Sequence, residues 1–90
     1  GLPKEFSLGQ NYPNPFNPST TIQFALPQES YVRLEVYDML GRKVVTLVDE
    51  MRGAGYFSEH VELNTMASGV YVYRLTAGRT SLTKRMLLMK

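Results

Sequence analysis

The sequence has no cysteine, which excludes a disulfide framework, a thiolate nucleophile and any zinc site built on sulfur. It has one histidine, His60, so a Ser-His-Asp arrangement or an imidazole-ligated metal would rest on that single ring. His60 lies between Glu59 and Glu62 in an alternating stretch whose Val61 and Leu63 face the other way, the position of a solvated strand residue. No apolar run approaches the ~20 residues a membrane-spanning helix needs, and the opening GLPKEFSLG lacks the apolar stretch of a signal peptide. Helix-period runs, repeats of fixed period and blocks of like charge are also missing. Ten Lys/Arg stand against eight Asp/Glu for a net charge of +2, with the cations scattered from Lys4 to Lys90, a weak field for nucleic acid. Neither nucleic-acid binding nor membrane insertion is expected.

The acidic residues are no better placed for chemistry. Asp49 and Glu50 are neighbours on one segment, and Glu59 and Glu62, three apart on a strand, point to opposite faces. There is no alternating Asp/Asn loop for calcium, and the glycines occur singly without a strand-to-helix context that would cradle phosphate. No catalytic, cofactor-binding or metal-binding residues are expected, and the chain does not read as an enzyme.

What is present is alternation. At 90 residues the chain makes one domain, and a domain of that size buries only ~60–65% of the surface its unfolded chain exposes. With 43% apolar and 20% charged residues it is nonetheless rich enough to pack a core. In TTIQFAL, Ile22, Phe24 and Leu26 share one face and Thr21, Gln23 and Ala25 the other, until Pro27 ends the run. In YVRLEVY, Val32, Leu34 and Val36 face inward, while Tyr31, Arg33, Glu35 and Tyr37 face out. DMLGR, residues 38 to 42, fits a short hairpin loop that leads into KVVTLV. DEMRGAG, residues 49 to 55, reads as a longer exposed loop, because glycines and charges interrupt the apolar rhythm. YFSEHVEL, VYVYRLTA and LTKRMLLMK complete the pattern, with turns at NTMASG and GRTS. The expected fold is all-β: an immunoglobulin-like Greek-key sandwich of about seven antiparallel strands over residues 8–90, with residues 1–7 as a linker.

Three features invite functional readings, each with a structural alternative. LNTMASGVY places Leu63, a bend ending in Gly69, and Tyr71 two residues into a strand; Tyr71 is either a tyrosine corner or simply a core aromatic. The six tyrosines, among them Tyr12, Tyr31 and Tyr56, either line a sugar-binding face or serve as ordinary strand formers. The closing segment, Lys84, Arg85, Met86, Leu87, Leu88, Met89 and Lys90, mixes cations with apolar residues. It reads as a charged edge strand or as an extended peptide suited to strand addition on a receptor, and an exposed edge over residues 82 to 89 would permit a homodimer.

The approach to the first long strand, NYPNPFNPST, is different in kind. Pro13, Pro15 and Pro18 cannot donate to a ladder; each holds φ near about −65° and biases the preceding residue to extended geometry. The segment is expected to run as a stiff strap across one end of the sandwich, with Tyr12 and Phe16 as apolar anchors. Asn11, Asn14 and Asn17 would satisfy local backbone groups.

NYPNPFNPSTTI, VYDMLGRKVVTLV, MASGVYVYRL and the terminal KRMLLMK, in that order and spacing over residues 8 to 90, resemble the C-terminal sorting domain of the type IX secretion system, type A. The resemblance implies a seven-stranded Ig-like sandwich that directs a cargo protein through the outer-membrane translocon of a Gram-negative bacterium. A sortase-like peptidase then typically removes the domain and leaves the cargo on the cell surface. On this sequence the family's glycine-aromatic motif falls on Gly69, Val70 and Tyr71, its terminal motif on Lys84 through Lys90, and its PNPF element on Pro13, Asn14, Pro15 and Phe16. Met86 and Met89 depart from the β-branched residues common there, which softens the strand. The competing readings are a carbohydrate-binding module or an Ig-like spacer on a secreted hydrolase.

Overall fold

The alternation becomes seven strands and no helix in the computed structural model, which describes residues 1–90. They are β1 (Ser7–Leu8), β2 (Ser19–Leu26), β3 (Ser30–Tyr37), β4 (Lys43–Arg52), β5 (Gly55–Glu62), β6 (Gly69–Ala77) and β7 (Thr80–Leu88). A three-stranded sheet, β1-β2-β5, faces a four-stranded one, β4-β3-β6-β7, and all strand pairs are antiparallel. The chain changes sheet between β2 and β3, between β4 and β5, and between β5 and β6. Those crossings place β2 beside β5 and β3 beside β6, the Greek-key arrangement expected.

The core fills as the period predicts. Ile22 and Leu26 of β2, Val32, Leu34 and Val36 of β3, and Leu75 of β6 are sealed from solvent. Each such side chain contributes ~1.5–3 kcal/mol relative to leaving it in water. Two residues on the outward set are buried as well. Ala25 is flanked by Ser7 on one side and Tyr56 on the other. The Glu35 carboxylate accepts a hydrogen bond from the Tyr37 hydroxyl at 3.0 Å and pairs with the Lys43 ammonium at 3.3 Å, so an outward charge is roofed by its neighbours.

Two segments depart from expectation. DEMRGAG is mostly strand: β4 continues to Arg52, and only Gly53 and Ala54 remain as the link to β5. Because β4 lies on the rim of its sheet, Asp49, Glu50 and Met51 reach water without leaving the ladder, in register with Arg33, Val32 and Tyr31. Charge interrupts a buried strand but not a rim strand. The lead-in also contributes more than a linker. Ser7 pairs with Ala25, Leu8 is buried, and Phe6 packs against the core, so the fold starts inside the stretch expected to be linker. GRTS is likewise shorter than expected, with Gly78 and Arg79 alone turning β6 into β7.

Two tyrosines of β6 tie the sandwich together. The Tyr71 hydroxyl donates to the Ala67 carbonyl at 2.6 Å across the bend between β5 and β6, which makes it a tyrosine corner. The fully buried Tyr73 reaches toward the other sheet, donating to the Gly9 carbonyl at 2.7 Å and accepting from the Asn11 N–H at 2.9 Å. Its burial raises the phenol pKa, which keeps the hydroxyl a donor. Tyr71→Phe is expected to cost about 1 kcal/mol in urea unfolding, the net worth of one hydrogen bond. Tyr73→Phe is expected to cost ~1–3 kcal/mol, because it strands the buried Asn11 N–H.

Candidate functional site

β7 is the rim strand of the four-stranded sheet, and its alternation divides the terminal motif into two sets. Met86 and Leu88 point inward and are sealed in the core. Arg85 is exposed and Leu87 half-buried on the outer face, while Met89 and Lys90 lie exposed just past the strand. Lys84 shares the inward side but sits half-buried at the rim. The Lys90 N–H donates to the Ser68 hydroxyl at 2.9 Å, and its ammonium donates to the Asn64 carbonyl, so the last residue is tied to the bend before β6.

The glycine-aromatic motif lies alongside. Gly69 pairs with Leu88, Val70 with Leu87 and Tyr71 with Met86. Gly69 has φ +152°, a backbone that L side chains rarely adopt, at the entry to β6. Tyr71 is committed to the corner. Val70 alone of the three presents its side chain to solvent, next to Leu87.

The outer rim of β7 is not open. The Phe16 N–H donates to the Leu87 carbonyl at 2.9 Å, and the Met89 N–H donates to the Phe16 carbonyl at 2.9 Å, a parallel bridge to the strand. The Leu87 N–H donates to Asn14 Oδ1 at 3.0 Å, and Gln10 Nε2 donates to the Arg85 carbonyl at 2.6 Å. The Phe16 ring, 2% exposed, is inserted into the core. This corrects the expectation of an exposed edge along residues 82 to 89 for its second half: from the Arg85 carbonyl to the Met89 amide the edge is already bonded, whereas the strap makes no hydrogen bond to residues 82–84. Prolines at 13, 15 and 18, each preceded by a cis peptide bond, supply no N–H, so the single pairing falls to Phe16 between them.

The strap's other anchors differ from expectation. Tyr12 is 82% exposed and holds on by its backbone alone, exchanging both hydrogen bonds with Thr21. The buried anchor is Asn11, whose amide donates to the Pro13 carbonyl at 3.1 Å and to the Thr20 hydroxyl at 3.0 Å. Asn14 bonds at long range instead of locally, and Asn17 stays exposed. Nothing in the spacing distinguishes Asn11 from Asn14 and Asn17; only Tyr73 and Thr20, remote in sequence or hidden by a turn, do so.

Across β6 from β7, the β3–β4 turn displays apolar surface on a fixed frame. Asp38 Oδ1 accepts the N–H of Leu40 at 2.9 Å and of Arg42 at 3.0 Å, and its other oxygen accepts from the Arg42 guanidinium at 2.9 Å. Those bonds, the Arg42 N–H foremost, hold the carboxyl below the ordinary range. Gly41, at φ +83°, closes the turn, leaving Met39 60% and Leu40 79% exposed. The six tyrosines do not share a face: Tyr71 and Tyr73 are core residues, Tyr31 and Tyr37 lie on one sheet, and Tyr12 and Tyr56 border the other. The Arg74 guanidinium covers the Tyr37 ring at 5.0 Å.

Among known families, a model described as the secretion system C-terminal sorting domain matches residues 10–89, which includes the strap, the turn and the terminal strand. No curated protein and no solved structure matches the chain.

Phe16→Ala is expected to lose ~3–5 kcal/mol in denaturant unfolding, as for other emptied aromatic sites, and a loss under ~1 kcal/mol would make the segment a mere linker. In the same variant the Leu87 and Met89 amides, protected in the parent, should exchange at near-surface rates. Asp38 is stabilising above its unfolded pKa, and that contribution is lost as pH falls through its lower folded value. A carboxyl NMR titration should therefore place its midpoint below the ordinary ~3.9.

Proposed function

The chain belongs to the family of secretion system C-terminal sorting domains, and from that premise we propose that the export machinery reads the outward side chains of its terminal strand. The domain is a type IX sorting signal, an address attached to a cargo protein bound for the cell surface across the outer membrane. Its family is one of signals and not of catalysts. The residues read are Arg85, Leu87, Met89 and Lys90, with Lys84 at the rim and Val70 beside Leu87. A sortase-like peptidase then releases the domain and leaves the cargo on the surface.

The observation that carries this reading is the double support of β7. Its inner side chains are locked in the core and its rim from Arg85 to Met89 is bonded to residues 10–16, so the outward side chains form a fixed pattern. Recognition then proceeds by side chains on a folded domain, since strand addition would first have to displace the strap. A fixed pattern lowers the entropy lost on docking. The carbohydrate-binding alternative loses its platform with the dispersal of the tyrosines.

The experiment is surface display of a periplasmic reporter fused ahead of residues 1–90 in a host with this machinery. Deleting the last six residues is uninformative, because it also removes Met86 and Leu88 from the core. Arg85→Glu with Lys90→Glu is the sharper variant. Its unfolding free energy should fall by no more than about 1 kcal/mol, the net worth of the exposed bond from the Lys90 ammonium to the Asn64 carbonyl. Surface reporter is expected to fall about tenfold, the equivalent of ~1.4 kcal/mol of lost recognition. Undiminished display of that folded variant would refute the proposal.

A further inference from the structure

Charge pairing in this domain is lopsided. Asp38 pairs with Arg42, Glu35 with Lys43, Asp49 with Arg33, and Glu50 and Glu59 with Arg52, while Glu62 contacts the His60 ring and Glu5 and Glu29 have no basic partner. The cations without a carboxylate are Arg74, Arg79, Lys84, Arg85 and Lys90, together with Lys4 near the start of the chain. Apart from Lys4, every one lies on the β6–β7 hairpin or the residues after it. A nearly neutral protein therefore concentrates its unpaired cations on one hairpin, with Arg74 and Arg85 on its outer face and Arg79 at its turn, which raises the local concentration of anionic partners.

Beside that hairpin runs a groove. It separates the β3–β4 turn from the outer faces of β6 and β7, has a volume of about 430 Å³, and is lined by Tyr37, Met39, Val72, Arg74 and Thr83, with Asp38 and Gly41 at the turn. Met39 is held out over it by a turn that the Asp38 carboxylate braces from within. Arg74 is oriented in advance: Nη2 donates to the Tyr37 hydroxyl at 2.8 Å and the guanidinium lies on the Tyr37 ring. One of its five N–H donors is used there, and the rest have no protein acceptor.

We infer that this groove is a docking site for a segment of a partner protein that carries a carboxylate and a bulky apolar side chain. The carboxylate is taken by the free edge of the Arg74 fork, whose planar donors suit bidentate pairing. The apolar side chain packs between Met39 and Val72. Charge complementarity selects an acidic partner, and the apolar walls select a protein segment over an anionic polysaccharide, which a ridge of cations alone would hold. No residue of the terminal motif lines the groove, so this contact is separate from the tail reading.

The test uses residues 1–90 and two synthetic peptides, acetyl-Glu-Leu-Asp-Phe-Glu-amide and its Gln/Asn counterpart, in an ¹⁵N NMR titration. The acidic peptide should shift the amides of residues 37–41, Val72, Arg74 and Thr83, and the neutral one should not. Arg74→Gln and Met39→Ser should each weaken binding about tenfold, equivalent to ~1.4 kcal/mol. Arg79→Gln, which removes the same charge at the far end of the hairpin, should leave it within twofold. Equal weakening by Arg74→Gln and Arg79→Gln, shifts confined to residues 84–90, displacement by heparin with the same shift pattern as the peptide, or no binding at millimolar peptide would each overturn the inference. Display of the Arg74→Gln fusion beside the Arg85→Glu, Lys90→Glu fusion tells the two sites apart: a loss confined to one implicates that site alone.

Discussion

Phe16 is the residue on which the two rims of this sandwich converge. Its ring fills space between the sheets, and its backbone closes the edge of β7 with a donor on one side and an acceptor on the other. Take it away and the terminal strand becomes an open edge with unpaired amides, the liability β-proteins commonly cover. The prolines around it make the arrangement selective. A chain with few free N–H groups can form few wrong pairings, so the one offered by Phe16 is directed to Leu87 and Met89.

The strap also joins layers that the strands themselves do not. Residues 7–12 follow β2 of one sheet, residues 14–16 follow β7 of the other, and between them Asn11 and Gly9 are bonded to Tyr73 from the core side. On the opposite rim, where β4 crosses to β5, Arg52 does comparable service. It pairs with Glu50 and Glu59 and lies over the Phe57 ring at 5.0 Å, while Phe57 stacks on Phe24 at 5.2 Å. Both seams are polar at the surface and aromatic beneath. The β-sandwich is thereby closed laterally without extra strands, which a chain of this length could not supply.

Function follows from that closure. A tail whose backbone is already bonded along its rim offers a partner mainly its side chains. Arg85 and Leu87 of the tail, Arg74 of β6 and the braced β3–β4 turn lie toward one face of the four-stranded sheet, while Lys84 lies on the inward side at the rim. Met86 and Leu88 share the motif with Arg85 and Leu87 yet do the opposite work, because period two sends neighbours to opposite faces. The terminal motif is thus half core and half surface.

Period-two alternation and turn chemistry were enough to foresee the strands and the β3–β4 hairpin, since each depends on residues only a few positions apart, while the Gly69-to-Tyr71 spacing left the tyrosine corner open beside a plain core aromatic until the Ala67 contact decided it. Of the two aromatic anchors expected in the strap, Phe16 is buried and Tyr12 is not, because only Phe16 reaches the gap between the sheets. Whether β7 was open or closed was not legible, nor was the choice of Asn11 over Asn14 and Asn17 as buried anchor, nor the continuation of β4 through its charges. Those outcomes turn on partners 9 to 75 residues away and on which strands stand at the rim. Local pattern determines which way a side chain points, because a strand's pleat is a property of the chain itself. What waits at that point, water, a carbonyl or another sheet, is decided only when the layers close.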